Sequence, residues 1–235
     1  MKMLGIIGAM TVEVDSLRER LMCREDIVRA GIKFSLGALG NLPVVIAQCG
    51  VGKVNAALCT QIMCDMFHVT HIVNTGVAGS LCADLDIGDL VVAEDAMYHD
   101  FDCHTLNPDY PVGQVPGLEV HTFPADKKLI ELAYQAANFV HPDHVRIGRV
   151  ASGDQFVCDA DHKMSIITNT KAICTEMEGA AIAHTAWRNN VPFVIIRAIS
   201  DKADNSAEMD YPTFEEIAAK RSASVMIAFA QMLAQ

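Results

Sequence analysis

Two short stretches gather the side chains able to do acid–base chemistry. In residues 191–205 a continuous apolar run ends in Arg197, Ser200, Asp201 and Asp204. In Thr175-Glu176-Met177-Glu178-Gly179, carboxylates stand where a short strand gives way to a helix. Chemistry in open α/β sheets collects just beyond the carboxyl ends of buried strands. Two acid-bearing strand ends therefore imply a pocket that moves protons on a polar small molecule.

Other candidates have an ordinary reading beside the chemical one. Glu13 falls in the first turn of a helix, where a carboxylate also simply complements the macrodipole. Phe156, in Ser152-Gly153-Asp154-Gln155-Phe156-Val157, could stack on a flat ring, but its residue type alone fits a core aromatic better. Gly50-Val51-Gly52-Lys53 opens a helix after a strand, yet Val54 stands where a Walker loop needs Ser or Thr. Those glycines instead permit close approach of strand, helix and ligand. Tyr98 to His104 concentrates potential metal ligands. The alternation of Tyr98, Asp100 and Asp102 suits strand faces, and no second ligand pair follows at metal spacing, so no metal is expected. His68/His71 and His141/His144 read as surface pairs.

The scaffold that must hold these groups alternates strand and helix. Strands are expected over residues 2–8, 70–74, 88–95, 146–151 and 172–175, and from 191 onward, reading as buried runs. Residues 27–30, 32–39 and 43–48 form a small antiparallel meander broken by Gly31 and Gly40-Asn41. Helices are expected over 11–21, from the opening at 50–53 to about 67, and over 125–140, 159–168, 178–189 and 211–233. Thr75-Gly76-Val77-Ala78-Gly79-Ser80 reads either as a tight turn or as room left for a ligand. Residues 107–123, rich in Pro and Gly without periodicity, make a long loop of the kind that serves as a lid or interface. No repeat or linker interrupts the 235 residues, so one α/β domain spanning 1–235, with a mixed, mostly parallel sheet, is expected.

Composition narrows the classes. Half the chain is apolar, enough for helices on both faces of a sheet, and the net charge of −11 argues against nucleic acid or anionic lipid as partner. No apolar run reaches the ~18 residues of a membrane span, and no signal peptide opens the chain. Eight cysteines without a Cys-x-x-Cys pair, several inside apolar segments, read as free thiols in a reduced, cytoplasmic protein.

Taken in order, Gly5-Ile6-Ile7-Gly8-Ala9-Met10 with Glu13, Gly50-Val51-Gly52-Lys53-Val54, Asn74-Thr75-Gly76 with Ala78-Gly79, and Tyr98-His99-Asp100 form a set. Ser152-Gly153-Asp154-Gln155-Phe156, Glu176-Met177-Glu178 and Arg197-Ala198-Ile199-Ser200-Asp201 complete it. The set spans nearly the whole chain and resembles the bacterial 5′-methylthioadenosine/S-adenosylhomocysteine nucleosidases. That resemblance implies a three-layer α/β/α, nucleoside phosphorylase-like fold, a homodimer, a small nucleoside substrate and no cofactor. It implies Asp201 as the acid at adenine N7, Glu13 activating water beside Arg197, and Glu178 on the ribose hydroxyls. Phe156 would stack on adenine, the Val157 backbone would read its edge, and Met10, Val51, Met177 and Tyr211 would line the sugar and thioether tail. Ser200 belongs to the same strand end, and Cys103 and Leu106 would close the neighbouring subunit's pocket. Thr11 and Val12 replace acids found in many members, a change confined to the helix surface. Val77 stands where some members carry Ser, which leaves water positioning to Arg197 and Glu13. A nucleoside phosphorylase or a futalosine-type nucleosidase is the alternative within the same fold. Against a phosphorylase, the loop at Thr75-Gly76-Val77 carries no Arg for phosphate.

Overall fold

The computed structural model describes residues 2–235, and of Met209 only the backbone. Its centre is a mixed sheet. Strand β1 (Leu4–Gly8) lies parallel to both β4 (Leu42–Gln48) and β5 (His71–Ser80), and β5 runs parallel to β10 (Phe193–Asp201). The meander β2 (Met22–Arg29), β3 (Ile32–Leu39), β4 extends one edge antiparallel. At the other edge β10 pairs with β6 (Leu90–Tyr98), β6 with β8 (Val145–Ser152), β8 with β9 (Cys174–Glu176), and β9 returns to β5. Five strands thus close into a ring, and the short β7 (Phe123–Pro124) hangs on β6.

Helices cover both faces, giving the three layers expected. On one side α1 (Thr11–Arg18), α3 (Lys127–Val140) and α6 (Ala207–Leu233) pack with Leu4, Val44, Val73 and Ile196. On the other, α2 (Lys53–Phe67) and α5 (Gly179–Arg188) meet Ile7, Val45, Ile72 and Ile195 through small residues such as Ala56, Cys59, Ala180 and Ala183. The strands read as unbroken apolar runs because successive residues face the two cores in turn: Val194 and Ile196 one, Ile195 the other. A smaller cluster under α4 (Ala160–Thr170) holds Val157, Ile166 and Ala203.

Helix α1 ends at Arg18 rather than 21 and β2 begins at Met22 rather than 27, and three further differences bear on the site. Strand β5 does not stop at Asn74 but runs to Ser80, because β10 and β9 pair with it along Thr75–Ser80. A side chain at Gly76 would collide with Arg197 and Glu13, so its smallness serves the strand rather than a turn. Strand β6 ends at Tyr98, so Asp100 and Asp102 lie outside any strand. Helix α6 begins at Ala207, a turn before Tyr211, with Pro212 inside it. Ser206 N–H and hydroxyl both meet Asp204 Oδ1, at 3.0 and 2.9 Å, and organise that extra turn despite the proline's missing N–H.

All eight cysteines are free. No helix among the described residues is long and apolar enough to cross a membrane.

Candidate active site

At the carboxyl ends of β1, β5, β9 and β10 lies an open cavity, where ligands bind in open α/β sheets. Glu13, Arg197 and Asp201 line it, and so do Met10, Val51, Val77, Phe156, Val157, Met177, Glu178, Ser200 and Tyr211. The residues expected to act on or hold the substrate thus face one space, although they come from widely separated parts of the chain; Asp204 does not line it. Sequence reasoning gave no separate role to Glu176 and Thr175, which also line it, or to Asn74 and Ser152 behind it.

Glu13 sits where β1 hands over to α1. Its carboxylate turns back to accept from the N–H groups of Ala9 at 2.6 Å, Met10 at 2.9 Å and Val77 at 3.2 Å. It thus caps its own helix from a buried position and faces the cavity at once. Burial pushes its proton affinity up, against the pull of Arg197 and the three N–H donors.

Arg197 is fully enclosed in β10. Its Nη2 donates to Asn74 Oδ1 at 2.5 Å and to Glu176, and Glu178 stands 3.7 Å away. Asn74 is itself held by Ile7 O at 2.9 Å, which fixes the amide that aims the guanidinium. Glu178 accepts from Gly52 N–H at 2.8 Å, a contact that needs the positive φ of 97° at Gly52. Burial first, then Glu176, drives the Glu178 carboxyl up to about 8, with Arg197 opposing. One cation thus meets three buried acids.

Asp201 ends the same strand. Ser200 Oγ lies 2.8 Å from Oδ2, and Ala203 N–H donates to Oδ1 at 2.8 Å. Ala203 takes a φ of 50° to make that bond, a left-handed turn in a buried non-glycine residue. Burial raises the Asp201 pKa above the ordinary aspartate value, with both hydrogen bonds resisting.

The mouth is apolar and open. Phe156 is 47% exposed and meets Tyr211 edge-on with centroids 5.5 Å apart, while Tyr211 Oη donates to Met10 Sδ at 3.2 Å. Phe156 is therefore not the core aromatic its residue type favours, but a free ring face at a cavity rim. Thr175 Oγ1 and Arg197 Nε are buried without a hydrogen-bond partner among the described residues.

The neighbouring polar residues have other work. Lys53 Nζ pairs with Asp100 at 2.6 Å, and its backbone N–H donates to Asp154 Oδ1 at 2.8 Å. The start of α2 is thus already occupied by the chain's own carboxylate. Asp102 accepts from His104 N–H at 2.8 Å. Away from the cavity, Asp89 joins His141 and His144 with ligand atoms within 4.8 Å of one another, a convergence that spacing alone did not reveal. The two rings stack at 4.3 Å with planes 13° apart, and Arg221 Nη1 lies 3.1 Å from His141 Nε2. Cys103 is partly buried and Leu106 exposed, and neither lines the cavity.

Fold and site together define an α/β protein with buried acids, one arginine and an exposed aromatic ring around a cavity at its strand ends, where enzymes of this class bind small molecules. A family model of the phosphorylase superfamily matches residues 3–231, and the chain belongs to that superfamily. The 5′-methylthioadenosine/S-adenosylhomocysteine nucleosidase of Geobacillus thermodenitrificans is 40% identical over 224 residues, 95% of this chain and 94% of that protein. The Neisseria meningitidis nucleosidase of the same name, solved with methylthio-immucillin-A, superposes with a TM-score of 0.94 at 35% identity, covering 99% of this chain and 100% of that one. A futalosine hydrolase of Helicobacter pylori superposes with a TM-score of 0.92 at 34% identity, over 98% of each chain. Within the superfamily, this chain is a member of the 5′-methylthioadenosine/S-adenosylhomocysteine nucleosidases, which are N-glycosyl hydrolases.

Proposed function

We propose that the chain hydrolyses the N-glycosidic bond of 5′-methylthioadenosine and S-adenosylhomocysteine, releasing adenine and the 5-thioribose moiety. The observation that carries this reading is Asp201: a buried carboxyl on the cavity wall whose surroundings favour its protonated form. As the C1′–N9 bond breaks, its electron pair moves into the purine, and the Asp201 proton goes to N7. Water adds to C1′ and gives a proton to Glu13, with Arg197 alongside; a proton returns to Asp201 through solvent. Each proton transfer of this kind contributes about 10²–10⁴ in rate. Glu178 accepts the ribose hydroxyls, Phe156 stacks on adenine and the Val157 backbone reads its edge. Met10, Val51, Met177 and Tyr211 hold the sugar and the thioether tail.

Water is favoured over phosphate as nucleophile because Arg197, the one cation on the wall among the described residues, is already engaged by Glu176 and faces Glu178 and Glu13. An added anion would find no free cation to pair with. The Helicobacter pylori neighbour keeps a futalosine-type substrate as the second reading. The protein works as a cytoplasmic homodimer in which Cys103 and Leu106 close the partner's cavity.

Adenine release from both thionucleosides in phosphate-free buffer, with a futalosine-type substrate alongside, tests the reading. Strict dependence on phosphate would overturn it. Asp201→Asn is expected to slow release at least about 10²–10⁴-fold while a non-hydrolysable nucleoside analogue still binds. Near-normal release by that variant would remove Asp201 from its role.

A further inference from the structure

Helix α5 starts beside the cavity with its first N–H groups satisfied by residues other than its own N-cap. That N-cap is Glu178, yet its side chain makes no capping hydrogen bond. The N–H groups of Glu178 and Gly179 donate instead to Glu176 Oε2, at 3.1 and 2.8 Å, and that of Ala180 to Ser152 Oγ at 2.7 Å. Ser152 Oγ in turn donates to Glu176, and the same carboxylate takes the Arg197 guanidinium. An acidic side chain at a helix start ordinarily folds back onto such N–H groups. With those donors taken, Glu178 reaches across to Gly52 and faces the cavity.

We propose that Glu176 is a positioning residue for the reaction: it caps α5 in place of Glu178, turns the Glu178 carboxyl into the cavity and keeps a second negative charge beside it. The inference rests on the reading of Glu178 as the acceptor of the ribose hydroxyls. It joins three elements through one carboxylate, with β8 entering at Ser152, β10 at Arg197 and α5 at its first turn. A cap alone would need none of the contact to Arg197.

The charged and titratable groups facing Glu178 come from every side of the site: Glu176 on β9, Arg197 on β10, Glu13 on α1 and the Cys49 thiol after β4. Glu176→Gln keeps the volume but removes a like charge and leaves Arg197 freer to attend to Glu178. Both changes favour ionised Glu178, the better acceptor for hydroxyl donors. The acid limb of kcat/KM is therefore expected to move to lower pH by about one unit. At the optimum kcat falls about 10–100-fold as Glu178 and Arg197 lose their fixed geometry. Ser152→Ala removes a cap partner but no charge, so it lowers Tm and leaves the acid limb in place.

Carboxyl ¹³C NMR gives a readout without turnover, with the Glu178 signal assigned by its loss in Glu178→Gln. The Glu178 midpoint should drop in Glu176→Gln, and a midpoint and acid limb both unmoved would overturn the proposal. If Glu176→Gln does not fold, Glu176→Asp serves: it keeps the charge one methylene back. Its limb should then stay at the wild-type pH with kcat reduced; wild-type kcat would overturn the positioning role. A wild-type protein that releases no adenine sinks the functional reading, while the NMR titration still decides the role of Glu176.

Discussion

Two arginine–carboxylate clusters in this protein share their chemistry and differ in almost everything else. On the outer meander Arg24 holds Asp26 through two hydrogen bonds of 2.9 and 2.8 Å, and Ser35 adds a third at 2.7 Å. Both charged partners are exposed, and the Asp26 carboxyl is drawn down to about 2, chiefly by the bond to Arg24. In the cavity the buried Arg197 is shared by buried Glu176, Glu178 and Glu13, and the Glu178 carboxyl moves the other way, to about 8. An arginine beside an acid therefore does not decide whether that acid is ionised. Desolvation and the number of acids sharing the cation decide it. The exposed pair is an ion pair and little more. In the buried one, desolvation raises the proton affinity of Glu13 and Glu178 against the pull of the same cation.

The largest test of this contrast is Arg197→Ala. It strands three acids in a low-dielectric site and is expected to cost about 3–5 kcal/mol of stability, read from urea midpoints, together with adenine release. A stability close to wild type would mean the acids had never depended on the cation.

A middling effect separates the clusters by sign. Folded Glu178 keeps its proton to about 8 against an ordinary 4.5, so between those values the native state carries more protons than the unfolded one. That contribution to stability is present at low pH and is lost as pH rises toward 8. Asp26, near 2 against an ordinary 3.8, contributes in the reverse sense: its stabilisation is present above about 4 and is lost as pH falls. Urea midpoints against pH should show Glu178→Gln flattening the decline between about pH 5 and 8. Asp26→Asn should flatten only the acid side. The same slope in Glu178→Gln as in wild type would place the proton on another group.

The smallest effect belongs to Arg24→Ala. Adenine release should be unchanged, and the small fall in Tm at low salt should vanish as salt is added. A fall that persists in high salt would show that the meander cluster is more than a surface pair.

The candidate site was largely legible in advance because its residues sit at strand ends, where an apolar run breaks into charge. Arg197, Ser200 and Asp201 follow Ile195 and Ile196 in this way, and Glu178 follows the short β9. Phe156 was legible only through its motif, since its residue type pointed to the core and its place at the rim beside Tyr211, which comes from α6 far along the chain, exists only in the fold. The role of Glu176 was not legible at all. Nothing in Glu-Met-Glu says which acid caps the helix and which turns to the cavity; Ser152 and Arg197, distant in sequence, settle that. The closure of β5, β10, β6, β8 and β9 into a ring was equally hidden, because an apolar run records that a strand is buried and not which strand lies beside it.

By itself the amino-acid order determined the alternating α/β elements, the two-faced burial of the central strands and the positions along the chain where acids and an arginine interrupt apolar sequence. Periodicity and residue type are local properties, and those features follow from them. Only the tertiary structure decided that one buried arginine is shared by three carboxylates, and that Gly76 must be bare to admit Arg197 and Glu13. It also decided that burial lifts the proton affinities of Glu13, Glu178 and Asp201. Proton affinity depends on the solvent and charge within a few ångströms, and the chain controls those neighbours only once it has folded.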